Sequence, residues 1–231
     1  MINLRKIGVW GDSVLKGVVL DDVRGTYQLL SDSCVHGVEQ ILGVTILNKS
    51  RFGCTIDKGC QMLERSLSTG LDCDMILLEY GGNDCDFNWP AVSADPALPH
   101  QPRTPLPVFL QTMQRMIDML RSQNIQPLLM SLPPISGERY LDFIVERGSD
   151  RKQLLRFLGD PQQIYRFHEL YSLGITRLAS QNHCPYAAVR EAFLTAGHCP
   201  DLLCRDGIHP NEKGHLLMQQ VFTELSASAA G

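Results

Sequence analysis

A chain of 231 residues, 44% hydrophobic and 20% charged, is long enough to bury a sizeable core and has the composition of an ordinary globular domain. Its formal net charge of −4 and the lack of a basic stripe exclude the electrostatic footprint of a nucleic-acid binder and give no reason for docking on anionic membranes. No apolar segment nears the roughly 20 residues that span a bilayer, and Met1 to Lys6 run straight into an apolar strand with no leader, so a cytoplasmic location is the expectation.

Apolar runs alternate with helical patterns, the signature of a parallel α/β sheet covered on both faces. Ile7 to Trp10 reads as the first strand and ends in the turn Gly11-Asp12-Ser13-Val14. A loop holding Asp21, Asp22, Arg24 and Gly25 follows. Ser33 to Leu42 is a helix, with Val35, Val38, Ile41 and Leu42 at helical spacing and Gly43 as its stop. Val44 to Leu47 is the second strand, and Asn48 to Thr55 is a polar loop containing Gly53. A helix from Asp57 to Ser68 leads to a third strand, Met75 to Tyr80, whose nearly continuous apolar character makes it central. Gly81-Gly82-Asn83-Asp84 breaks it.

Residues 85–107 hold Pro90, Pro96, Pro99, Pro102, Pro105 and Pro107, which argue against regular structure across the segment. A loop that long in a compact domain is functional or disordered. Its position directly after Asn83 makes it a wall or lid of a site, in which Phe87 and Trp89 either touch substrate or anchor the loop to the core. Val108 to Asn124 is an amphipathic helix with Phe109, Met113, Met116, Ile117 and Leu120 on one face. Gln126 to Leu132 is the fourth strand, closed by Pro133-Pro134. The pattern from Glu138 to His183 is helical, with interruptions at Gly148 and at Gly159-Asp160-Pro161, where Asp160 and Pro161 form a cap and first-turn pair. Tyr186 to Val189 is a short fifth strand, and a loop leads to His209-Pro210, after which Asn211 caps a last helix reaching about Ala227. No repeat, low-complexity tract or linker interrupts the chain, so residues 1–231 read as one domain.

The eight cysteines include no Cys-x-x-Cys pair. His198, Cys199 and Cys204 are the nearest approach to a zinc site but lack a second knuckle, so free, mostly buried thiols are the expected state and no metal or organic cofactor is called for.

Active sites of open parallel sheets form outside the carboxyl ends of the strands. Ser13, Gly53 and Asn83 follow strands one, two and three, and Asp206 and His209 lie in the loop after strand five, on the same edge. Serine is a weak nucleophile until a base takes its proton, and His209 is the histidine best placed to do so. Asp206, three residues earlier in the same turn, can hold the second imidazole nitrogen. The Asn83 amide and the backbone N–H groups of Gly53 and Ser13 can meet the negative charge that builds on an attacked carbonyl oxygen. Each piece alone has a plain explanation: Gly-Asp-Ser is a common turn, Gly-Gly-Asn-Asp a common loop, and Asp-x-x-His-Pro-Asn a helix start. The six other histidines, His168 among them, read as surface or packing residues.

With these blocks in this order, the chain resembles the SGNH hydrolase superfamily, the GDSL esterases and lipases. The resemblance rests on Gly11-Asp12-Ser13, with Val14 where Leu often stands, on Gly53, on Gly81-Gly82-Asn83-Asp84, and on Asp206-Gly207-Ile208-His209 with the following Pro210-Asn211 and Gly214-His215. It implies a three-layer α/β/α sandwich with a mostly parallel, five-stranded, flavodoxin-like sheet. It also implies Ser13 as nucleophile, His209 as base, Asp206 as its orienter, and Ser13, Gly53 and Asn83 as the oxyanion hole. A nucleophile elbow of the α/β-hydrolase kind is absent, because position 15 is Leu and acid and base are only three residues apart. Gly8, Gly11 and Gly17 do not fit a dinucleotide fingerprint. The expected activity is hydrolysis of short, acetyl-like esters of sugars or small metabolites through an acyl-enzyme. The same intermediate would serve an acyltransferase or thioesterase, and a non-catalytic ligand-binding relative would not need all five groups. A small-molecule ester is the expected partner, and the sequence carries no signature of oligomeric state.

Overall fold

The computed structural model describes residues 5–230. The chain opens with β1 (Lys6–Trp10), α1 (Ser13–Lys16), β2 (Val18–Asp21), β3 (Thr26–Leu29), α2 (Cys34–Leu42), β4 (Thr45–Asn48), α3 (Ile56–Ser68) and β5 (Met75–Leu78). It continues through α4 (Trp89–Ala94), α5 (Leu106–Ser122), β6 (Gln126–Met130), α6 (Gly137–Glu146), α7 (Arg151–Leu158) and α8 (Gln162–Gln181). It closes with β7 (Tyr186–Ala187), α9 (Val189–Thr195), a 3-10 turn at Cys199–Leu202 and α10 (Glu212–Ala230).

The five-stranded sheet runs β4-β1-β5-β6-β7 with every pairing parallel, the flavodoxin-like order. Side chains alternate across it, because successive residues of a strand face opposite ways. Trp10, Ile76, Leu78 and Leu129 pack one face against Ile56 and Leu63 of α3, Phe109 to Leu120 of α5 and Tyr171 and Ile175 of α8. Val9, Leu77, Leu128 and Met130 pack the other against Val35 and Val38 of α2, Phe193 of α9 and Met218 and Phe222 of α10. These two cores make three layers. A third apolar cluster joins Phe87 and Trp89 to Leu141, Ile144, Leu154 and Ile164, at the strand ends over α4, α6, α7 and α8.

Several expectations need correction. The stretch after β1 is not a loop: β2 and β3 form an antiparallel hairpin pairing Val18 to Asp21 with Leu29 to Thr26. The turn is made by the Asp21 carboxylate, which accepts the N–H groups of Val23 and Arg24. The segment 85–107 is not wholly irregular either. Trp89–Ala94 is helical, with Asn88 capping the Ala91 N–H and Pro90 in the first turn, where its missing donor costs nothing. Val189 begins α9 and does not end a strand, leaving β7 two residues long. Ile41 faces outward at 59% exposure, so the buried stripe of α2 is Cys34, Val35 and Val38. Asp160 does cap α8, its Oδ1 accepting the Gln162 N–H at 2.8 Å, and Asn211 caps α10 through the N–H groups of Lys213 and Gly214. All eight cysteines are free thiols, seven of them buried, and His198 pairs with Asp201.

Candidate active site

The sheet order reverses between β1 and β5, and at that switch point the carboxyl ends of the two strands open a crevice. Ser13 sits there as the first residue of α1, behind the cap residue Asp12, whose carboxylate accepts the Val14 N–H at 2.9 Å. The nucleophile candidate is therefore held on a one-turn helix and is 6% exposed. His209 arrives from the other end of the chain, 196 residues away, and its Nε2 lies 2.9 Å from Ser13 Oγ. Nδ1 of the same ring lies 2.6 Å from Asp206 Oδ2.

Asp206 is fully buried, which pushes its carboxyl pKa up. The hydrogen bond and charge of His209 and the N–H groups of Ile208 and His209 reverse that push, and the carboxyl ends below its ordinary range. Its Oδ1 accepts those two N–H groups at 3.1 and 3.2 Å. A third partner was invisible in the sequence: Tyr27, on the hairpin strand β3, donates its hydroxyl to Asp206 Oδ2 at 3.1 Å. The Tyr27 ring lies 5.0 Å from the His209 ring, and Phe52 stacks on the imidazole at 6.2 Å.

Three residues that line the same crevice each keep a donor without an acceptor among the described residues. The Ser13 N–H belongs to the first turn of α1, where no intrahelical partner exists. Gly53, which borders the cavity, has φ +66, a left-handed conformation suited to glycine, and its N–H has no acceptor among the described residues. Asn83 donates one amide hydrogen to Asp12 Oδ2 at 2.8 Å and keeps the other. Asp84, next in the turn, faces away from the crevice and caps α3 through the Ile56 N–H.

Behind the serine lies a second polar layer that sequence reasoning also missed. Glu79, at 1% exposure, accepts the Asp12 N–H on Oε2 at 3.0 Å. A Cβ at Gly11 would come within 2.7 Å of that oxygen, so glycine lets the carboxyl lie against the backbone. Burial and then the charge of Asp12 push the Glu79 carboxyl well above its ordinary range. Burial leaves the Asp12 carboxyl raised too, but the Val14 N–H, His209, the Asn83 amide and Glu79 all pull it back toward its ionised form, so of the pair Glu79 is pushed further toward holding the proton.

These groups line a cavity of about 870 Å³. Tyr27, Phe52, Phe143 and Ile208 wall the His209 side. Phe87 and Trp89 both line the cavity and belong to the apolar cluster beneath it, which anchors the segment to the core. Their rings lie 5.5 Å apart, Phe87 meets Phe167 at 5.0 Å, and the Trp89 indole donates to Asp86 at 2.7 Å. Among the described residues no His/Cys/Asp/Glu cluster could hold a metal ion, and no helix is long and apolar enough to cross a membrane. A nucleophile in contact with an oriented base, faced by unpaired donors in a partly apolar cavity, is suited to acyl transfer.

Comparison with known proteins agrees. The GDSL-like Lipase/Acylhydrolase family model matches residues 9–217. An isoamyl acetate-hydrolyzing esterase of Saccharomyces cerevisiae is 23% identical over 219 residues, covering 93% of this chain and 82% of that protein. Among solved structures, the lipase/acylhydrolase from Enterococcus faecalis superimposes with a TM-score of 0.66 at 16% identity, covering 96% of this chain and 94% of the other. A psychrotrophic esterase from Pseudoalteromonas sp. gives 0.61 at 14% identity, with 98% of each chain covered.

Proposed function

We propose that this chain, which belongs to the GDSL-like Lipase/Acylhydrolase family, hydrolyses short acyl esters of small molecules through an acyl-enzyme on Ser13. The observation that carries this reading is the continuous relay from Ser13 Oγ to His209 Nε2 at 2.9 Å and from His209 Nδ1 to Asp206 Oδ2 at 2.6 Å. In the first step Ser13 Oγ attacks the ester carbonyl while His209 takes its proton and passes it to the departing alkoxide. Asp206, kept ionised, holds the imidazole in the tautomer that faces the serine and stabilises the imidazolium. The Ser13 and Gly53 N–H groups and the second Asn83 amide hydrogen meet the oxyanion. In the second step the same histidine activates water, which releases the acid and restores the serine. Each step balances with these side chains and water alone.

The cavity volume supports a small-molecule substrate. The acetate ester in the printed name of the yeast relative supports a short acyl group. The test is a panel of acetyl, butyryl and octanoyl 4-nitrophenyl esters with acetylated sugars, assayed on wild type and Ser13→Ala. Turnover of the shorter esters, lost by at least about 10³-fold in Ser13→Ala, is expected. Equal rates in wild type and Ser13→Ala would overturn the serine assignment, and a preference for octanoyl would overturn the short-acyl assignment.

A further inference from the structure

One buried histidine in the cavity wall has no task in the mechanism. His168, on α8, is 4% exposed and lines the cavity. Its Nδ1 lies 2.9 Å from an Nη2 of Arg190, in the first turn of α9. A guanidinium carries five donors and no acceptor, so Nδ1 must present a lone pair and the ring proton must sit on Nε2.

Arg190 is not free to turn away. Its Nε donates to Ser172 Oγ at 3.1 Å, and its Nη1 donates to Tyr165 Oη at 3.3 Å and pairs with Glu169 at 2.8 Å. Its backbone N–H donates to Ser131 Oγ at 2.9 Å, just past β6. Burial and the adjoining guanidinium hold the imidazole neutral. The Nε2–H therefore has one tautomer, one orientation and no acceptor among the described residues. Around it the wall is apolar, with Phe87, Ile164 and Phe167. A donor in apolar surroundings is costly until something accepts from it.

The triad indicates which part of a substrate reaches it. His209 must touch the departing oxygen, so the alcohol leaves along the side of Tyr27 and Phe52, which flank that ring. An acyl group on the other side of the scissile bond would have the lining residues Asn83, Phe87, Ile164 and His168 within the same cavity. We propose that His168 forms a polar subsite in this acyl lobe, donating Nε2–H to an oxygen carried by the acyl chain. The preferred substrates are then hydroxy-, alkoxy- or oxo-acyl esters over alkanoyl esters of equal length. This rests on the serine-esterase reading above and deepens it.

The test compares kcat/KM for 4-nitrophenyl pentanoate with its two oxygen-containing isosteres, the ethoxyacetate and the 3-methoxypropanoate, in wild type, His168→Leu and His168→Gln. Intrinsic reactivity differences cancel when variant and wild-type ratios are compared. His168→Leu should lower the oxa-to-carbon ratio on the order of 10-fold for at least one isostere. His168→Gln should largely restore it, because its amide can accept from Arg190 and donate to the cavity. Unchanged ratios in His168→Leu would overturn the subsite, since a histidine that only staples Arg190 would not discriminate these isosteres. A change confined to 2-ethoxyethyl acetate against pentyl acetate would overturn its placement on the acyl side. Hydrolysis of pentanoate without any oxygen effect sinks this inference alone, whereas no hydrolysis of any ester sinks the esterase reading. A readout independent of turnover and of the His168 variants is thermal stabilisation of Ser13→Ala by the product acids. Stronger stabilisation by 3-methoxypropanoate or ethoxyacetate than by pentanoate supports the subsite, and equal stabilisation by all three counts against it.

Discussion

At the scale of single residues, Tyr27 separates orientation from chemistry. Its hydroxyl touches only the Asp206 side of the relay, and its ring stays beside His209 if the hydroxyl is removed. Tyr27→Phe should lower kcat about 3- to 10-fold with little change in KM, the scale of one ordinary net hydrogen bond. Steady-state kinetics on a single ester reads both parameters. Glu79 makes a sharper pair of variants. A protonated carboxyl has the hydrogen-bonding pattern of an amide, so Glu79→Gln can still accept the Asp12 N–H and donate to the Asp12 carboxylate. We expect Glu79→Gln to stay within a few-fold of wild type. Glu79→Ala strands a buried N–H, at a cost of about 1–3 kcal/mol, and frees Asp12 to drift from the Asn83 amide, so kcat should fall about 10-fold. If Glu79→Gln is as damaged as Glu79→Ala, the glutamate is ionised and the proton has been put on the wrong carboxyl.

At the scale of elements, α10 starts three residues after His209, and its cap helps position the base. Asn211 accepts from Lys213 and Gly214 and sends its own amide back to the carbonyls of Asp201 and Leu203. Asn211→Ala should therefore cost about 1 kcal/mol of stability and reduce kcat as well, whereas Asn211→Asp should keep the cap and lose only the return bonds. Urea unfolding beside a kinetic assay separates the two effects. The same element shows what was legible beforehand. The cap, the Asp-x-x-His turn and the strand ends could be read because each has a local residue signature. The hairpin of β2 and β3 could not, since four-residue strands are too short for a periodic signal and the Asp21 turn resembles any polar loop. The Pro-rich segment misled for a similar reason: Pro90 stands in the first turn of α4, the one helical position where proline is tolerated.

At the scale of the whole molecule, the parallel sheet and the grouping of Ser13, Gly53, Asn83, Asp206 and His209 at one edge followed from strand order alone. The cavity did not, because its walls come from α4, α6 and α8, and no local pattern says that Phe87, Phe143 and His168 will share a space. Global stability carries its own prediction. His215 is fully buried, and burial, then the charge of nearby His209, lower its pKa from 6.5 to about 4. The unfolded chain takes up this proton below about pH 6.5 while the folded chain refuses it until about pH 4. Stability from this group is thus complete above pH 6.5 and drains away as the pH falls, by on the order of 3 kcal/mol across the window. The melting temperature of wild type should drop toward that of His215→Asn between pH 7 and pH 4.5, and a constant gap would contradict it. The 196-residue separation between Ser13 and His209 gives the proposed mechanism a last consequence, for biosynthesis. The serine leaves the ribosome with the first strand, and His209 follows only after 196 further residues have been made. Under that mechanism Ser13 stays an inert alcohol until His209 is in place beside it, so a growing or truncated polypeptide would not acylate itself. Labelling by a serine-reactive phosphonate becomes a certificate of completed folding.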